Sequence, residues 1–279
     1  MRVGQKKRRR QVNSFAVNYN YIRQILIFCV FAFTLPLISV VLIKTVTVCQ
    51  TGLINLILYG YVTITPTLSA LLTIYICEGK KGVGVFLKAS FLTKMRFKFI
   101  VLAVILPIMI LSLTKLLTIL FVEDASFYEM PDLKQFLIIA WALVAEEMGW
   151  RGFLQRRLDR YFYTFFTPLI IGMIWAAWHY HFFLMGSMSA PILYFILGCI
   201  ADSFGYYWLT RKANGNIIPA SIWHFTENFL MNLFLINSVY NHGSTVPYGI
   251  FTIISCVFAI IIAIWGKYSE EKKFNFNAF

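Results

Sequence analysis

Eight stretches of this chain are each long and apolar enough to cross a bilayer as a helix, at about 25–43, 52–77, 99–121, 135–155, 165–184, 190–209, 217–237 and 247–266. About 20 consecutive, mostly apolar residues carry a helix across the hydrocarbon core. A helix also satisfies its backbone polar groups internally, where no water can reach them. Composition agrees: 59% of the 279 residues are hydrophobic, 13% are charged, and the mean hydropathy is +0.71. Soluble domains carry about 25% charged residues, and a soluble fold of this size could not hide so much apolar surface. The expected fold is therefore all-α, a polytopic membrane helical bundle of about eight transmembrane helices. The fourth and seventh stretches contain charges and are the least apolar.

Charge placement gives the bundle a direction. Of the 25 Lys and Arg, 22 fall on one side of an eight-span arrangement; Lys44, Lys115 and Lys134 fall on the other, with the acids Glu123, Asp124, Glu129 and Asp132. Basic connections stay in the cytoplasm, so both termini are expected there, in a chain residing in the plasma membrane. Residues 1–24 form a basic cytoplasmic arm containing Lys6-Lys7-Arg8-Arg9-Arg10, 25–266 the helical domain, and 267–279 a cytoplasmic tail. The run Ile25–Ile43 lacks a small-residue cleavage site and reads as an uncleaved first span. Net charge is +13. Because the basic residues flank apolar runs, anionic lipid headgroups are the expected partner and nucleic acid is not. The five cysteines contain no CxxC pair and four lie in or at the end of spans, which argues against a disulfide framework or a thiolate metal site.

Ionisable residues inside spans are costly and mark function. The fourth span contains Glu146-Glu147-Met148-Gly149-Trp150-Arg151. Glu147 and Arg151, four apart, share a helix face in the favourable acid-first order, while Glu146 points about 100° away. Arg151 can thus neutralise Glu147 and leave Glu146 unpaired, in a low-dielectric setting suited to general acid/base work. The fifth span carries Trp175 and His179, and the seventh carries His224 and Asn228, again four apart on one face. Glu146 and His224 come out about 10–14 Å from the cytoplasmic interface, and His179 slightly deeper. One water-filled cavity opening toward the cytoplasm would accommodate them all. His181 points nearly opposite to His179. Asp202 and Glu227 are further intramembrane acids without an assigned role, Glu227 being placed to face a neighbouring helix.

This constellation resembles the CPBP family, the intramembrane proteases that include CAAX-prenyl endopeptidases and bacteriocin-processing or self-immunity (Abi) proteins. The resemblance runs over about residues 60–237. It rests on Glu146-Glu147 with Arg151, Trp175 with His179, and His224 with Asn228, in that order on successive helices. The lead-in from Pro66 to Glu78-Gly79-Lys80-Lys81 is also similar. Trp175 stands where the family usually has Phe, which keeps an aromatic wall, and Glu227 is outside the family's pattern. The resemblance implies an endopeptidase in which Glu146 activates water with help from His179. It further implies that His224 and Asn228 stabilise the oxyanion, with Glu147 and Arg151 holding the geometry. The implied substrate is a membrane-associated or lipidated peptide or protein, cut near the cytoplasmic face.

Glu146, His179 and His224 also offer a three-ligand set of the kind catalytic zinc uses. An unpaired Glu with a His can activate water unaided, and Asn228 suits an oxyanion hole better than a zinc site, so no metal is expected to be required. Two other functions compete: a non-proteolytic peptide-binding or bacteriocin self-immunity protein of the same fold, and a proton-coupled carrier. The sequence lacks the inverted repeats of many transporters.

Overall fold

The structure, a computed structural model, describes residues 20–122, 128–162, 164–188, 190–237 and 241–268. The cluster Lys6–Arg10, the pair Glu123–Asp124 and the tail lysines Lys272 and Lys273 lie outside them. Every regular element among the described residues is helical. The long ones, in chain order, are α1 (Asn20–Thr45), α2 (Gly52–Phe91), α3 (Lys98–Phe121), α4 (Leu133–Ala145, continued as a π-helix over Met148–Gln155), α5 (Phe166–Met185), α6 (Ile192–Lys212), α7 (Ile218–Leu233) and α8 (Val246–Tyr268).

Six of the eight, α1, α2, α3, α5, α6 and α8, are long and apolar enough to cross a membrane. α4 and α7 differ in a way the sequence foreshadows. α4 leaves α-helical geometry at Glu146, and α7 has only 16 residues. Both nevertheless run from one end of the bundle to the other. At one end the Ile217 amide donates to the Ser90 carbonyl (2.9 Å), Asn216 Nδ2 to the carbonyls of Phe91 and Thr93 (both 2.9 Å), and Arg156 Nη2 to those of Ala89 (2.9 Å) and Gly215 (2.7 Å). At the other end the Glu129 amide donates to the Leu233 carbonyl (2.9 Å) and Lys115 Nζ to that of Phe234 (3.0 Å). α4 starts beside α7's end and finishes beside α7's start. The basic connections gather at the first end, which is called the basic end below.

Local sequence explains the irregularities. Asp132 caps α4 in a reciprocal box with Gln135: the Gln135 amide donates to Asp132 Oδ1 (2.7 Å), and the Asp132 amide to Gln135 Oε1 (3.0 Å). α2 has 40 residues, about twice what a bilayer needs. Gly79 divides it with φ +70°, a backbone that residues with a Cβ rarely adopt. The crossing thus stops close to the expected boundary at residue 77. Inside that crossing, Pro66 has no N–H for the Val62 carbonyl, and the Thr65 hydroxyl donates to that oxygen instead (2.7 Å). Large apolar side chains such as Leu26, Ile57, Leu120, Ile253 and Ile260 stay exposed on the outside of the bundle. Lipid is the solvent that suits such a surface.

The π-helix is buried from Gly149 to Gln155. Trp150, Phe153 and Leu154 are fully buried, with the Phe28 ring stacked on Phe153 (4.9 Å) and edge-on to Trp150 (5.6 Å). Gly149 lies directly on α2: a Cβ there would stand 2.5 Å from the carbonyl carbon and oxygen of Pro66. Backbone cannot yield as a flexible side chain can, so Gly149→Ala must push α4 off α2. We expect it to destabilise the detergent-purified protein by about 1–3 kcal/mol, read as a lowered thermal midpoint.

Candidate active site

The break in α4 falls at the two glutamates. The α-helix ends at Ala145 and the wider π-turns begin at Met148; such π segments recur at functional sites. Across this junction Glu147 still meets Arg151, with Nη1 donating to Oε1 at 3.0 Å. Glu147 Oε1 also accepts from His224 Nδ1 at 2.9 Å. Arg151 in turn donates through Nη2 to Ser203 Oγ (3.3 Å), with its guanidinium over the rings of Tyr206 (4.3 Å) and Trp175 (5.0 Å). Ser203 and Tyr206 come from α6 and His224 from α7, so one carboxylate and one guanidinium tie three helices together. Glu147 and Arg151 are 1% and 0% exposed, where charge-assisted hydrogen bonds are strongest.

Glu146 turns away from this pair, as helix geometry requires. Its Oε2 accepts from Trp175 Nε1 (2.9 Å) and Trp150 Nε1 (3.3 Å). The sequence reading gave Trp175 only the part of a wall, yet its indole N–H holds the carboxylate, a contact phenylalanine cannot make. The Trp150 contact was legible, since Trp150 follows Glu146 by four residues on the same face. The parts of Ser203 and Tyr206 needed the placement of α6, which sequence periodicity does not supply.

His179 Nδ1 stands 2.7 Å from the Trp175 carbonyl. A carbonyl only accepts, so Nδ1 carries the proton, and when the ring is neutral Nε2 is the acceptor. His224 is held through the same atom, by Glu147. Asn228, one turn along α7, is half-buried and lines the same cavity. His181 is buried among Trp178, Tyr180 and Phe182 and does not line it.

That cavity has a volume of about 430 Å³ and brings together Glu146, Trp175, His179, His224 and Asn228. Asp202 and Glu227 line it too, with their carboxyl groups in hydrogen-bonding contact. Glu227 Oε2 accepts from Trp223 Nε1 (2.8 Å) and Tyr206 OH (3.0 Å). Glu227 is thus part of the chamber wall.

The expected opening toward the basic end is corrected. The remaining lining residues, among them Ser187, Met188, Asn232, Asn237 and Tyr248, come from the opposite halves of the helices and their connections. Counting residues to the nearer interface measures depth only. It could not register that Trp150, Phe153 and Leu154 fill the space between Glu146 and the basic end.

The fit to a metal was tested on the donors. Among the described residues, no three His, Cys, Asp or Glu side chains are grouped so as to hold one ion. Glu146 Oε2 and His224 Nδ1 are turned to indole and carboxylate partners instead. Glu146, His179 and His224 do not form such a group in this structure.

Removing one member of a buried ion pair strands the other's charge, at a cost of about 3–5 kcal/mol. Arg151→Met should therefore destabilise the protein by that order, measured by thermal or denaturant unfolding. Replacing exposed Lys94 the same way should change stability by less than about 0.5 kcal/mol.

Residues 132–230 match the model of the family described as Rce1-like type II CAAX prenyl endopeptidases. The stretch begins at the Asp132 cap and takes in all the residues named above for the two glutamates, both histidines and Asn228. A curated relative, CAAX prenyl protease 2 of Methanococcus maripaludis, is 28% identical over 108 residues, 36% of this chain and 40% of that protein. The matched region thus spans about two fifths of the relative's length.

Proposed function

We propose that this chain, assigned to the CPBP (CAAX protease) family by the match over residues 132–230, is an intramembrane endopeptidase in which Glu146 activates the attacking water. The observation that carries this reading is the contrast between two adjacent glutamates. Glu147 takes the cation, whereas Glu146 is steered by two indole N–H groups on the wall of a cavity.

The chemistry follows from the partners. Glu146 Oε1 removes a proton from a water molecule whose other proton is directed to His179 Nε2. The water oxygen adds to the scissile carbonyl carbon, and the carbonyl oxygen becomes an oxyanion. His224, acting as an imidazolium whose Nδ1–H rests on the Glu147 carboxylate and whose Nε2–H is left to donate, and the Asn228 amide stabilise that oxyanion. As the C–N bond breaks, the proton held by Glu146 passes to the leaving amine. A positioned base contributes about 10²–10⁴-fold and each oxyanion donor about 10²–10³-fold. No step passes through a metal.

The substrate is a membrane-associated or lipidated peptide or protein. Supporting this, an apolar slot of about 380 Å³, lined by Leu56, Tyr59, Gly60 and Leu137, shares Thr63, Ile138, Trp141 and Phe182 with the cavity. The charge distribution supports residence in the plasma membrane with both termini in the cytoplasm.

Incubating purified protein with membrane-anchored peptides, wild type against Glu146→Gln, tests the proposal. Cleavage by wild type alone, unchanged by chelator, is expected. Retained cleavage by the variant would overturn the role of Glu146, and loss with chelator that zinc restores would overturn the metal-free step. A cellular immunity phenotype that survives Glu146→Gln would favour the non-proteolytic binding role.

Trp175→Phe gives a sharper result. It keeps the ring and removes one hydrogen bond to a carboxylate, worth about 1.5–3 kcal/mol. The expected outcome is kcat lowered about 10- to 100-fold with KM little changed.

A further inference from the structure

We infer that the catalytic cavity opens on the face of the membrane away from the cytoplasm, so that the peptide and the attacking water reach Glu146 from that side. The orientation stands on the architecture and the distribution of basic residues; its meaning for the substrate rests on the proteolytic reading above.

The cavity is one-sided. Ser187 and Met188 belong to the connection between α5 and α6, Asn237 to that between α7 and α8, and Tyr248 to the first turn of α8. All these segments lie at the end where Glu129 and Lys115 bond the end of α7. None of its lining residues belongs to the connections at 92–97, 159–165 or 213–217. Between the catalytic residues and the basic end, Trp150, Arg151, Phe153 and Leu154 are all 0% exposed. Beyond them Arg156 bonds the carbonyls of Ala89 and Gly215, and Arg157 Nε donates to Gln24 Oε1 at 2.6 Å. The basic end is closed by packing and then by hydrogen bonds.

Charge orients the whole. In the eight-span reading of the sequence, 22 of the 25 basic residues fall on the side of the closed end, and such an excess remains cytoplasmic. The open end has three, and one of these, Lys115, is buried and donates to the Phe234 carbonyl. Closed end inward places the mouth outward. The substrate class that follows is a peptide presented outside the cytoplasm, in solution or anchored in the outer leaflet. Trp150, Phe153 and Leu154 stand between the basic end and Glu146.

Cysteine accessibility in intact cells tests this without any need for activity. In the full chain with its five native cysteines replaced, single cysteines are introduced as Ser187→Cys at the exposed rim, Asn232→Cys on the cavity wall and Lys94→Cys at the basic end. Each is made with Glu146 intact and as Glu146→Gln, and treated with a membrane-impermeant maleimide before and after permeabilisation. We expect Ser187→Cys and Asn232→Cys to label in intact cells and Lys94→Cys only after permeabilisation. The reverse pattern overturns the inference. Asn232→Cys serves if Ser187→Cys does not accumulate. Outward labelling of a protein that cleaves no peptide would uphold the orientation and count against the proteolytic reading alone.

Discussion

The Glu147 carboxylate, shared between Arg151 and His224 deep in the bundle, is the contact on which the rest of the site depends. Neither partner could be buried alone, since an isolated ion in low dielectric is far too costly. Together they form a short charged chain whose members come from α4 and α7, with Ser203 and Tyr206 of α6 completing it. The chain sets the rotation of α4, and that rotation aims Glu146 at the cavity. Adjacent identical side chains thereby acquire different surroundings, one bonded through Oε1 to a cation and an imidazole, the other through Oε2 to two neutral indoles.

Placing such a network in a membrane has structural consequences. The two helices that carry most of it, α4 and α7, are the two that are not long and apolar enough to cross unaided. They are held in place by their neighbours: α4 lies on α2 through Gly149 against Pro66, and α7 is bonded to other segments at both ends. The long apolar helices meet the lipid, and the helices bearing charge are sheltered among them. α2 approaches α4 so closely because Thr65 satisfies the carbonyl that Pro66 frees, and because Gly149 offers no side chain.

Much of this is legible in the sequence. Length and apolarity give the helices, and the four-residue spacings Glu147–Arg151 and His224–Asn228 give shared faces. The order of the motifs points to the family. What could not be read was anything that depends on how helices lie against one another. The His224 bond to Glu147, the indole of Trp175 on Glu146 and the place of Glu227 in the cavity wall all join residues from different helices. The direction of the cavity was misjudged for the same reason: depth along each helix is arithmetic, whereas the plug formed by Trp150, Phe153 and Leu154 is tertiary packing. Trp175 is the instructive case, because a departure from a family's usual residue was visible and its chemistry, a donor added beside a carboxylate, was there to be considered.

The central claim is that Glu146 delivers water to a peptide carbonyl in this cavity. Mass spectrometry of the products formed from a membrane-anchored peptide in oxygen-18 water tests it most directly. The account predicts a single new carboxyl terminus carrying one oxygen-18 atom from wild-type protein. Product lacking the heavy oxygen, or the same labelled product formed as fast by Glu146→Gln, would contradict it.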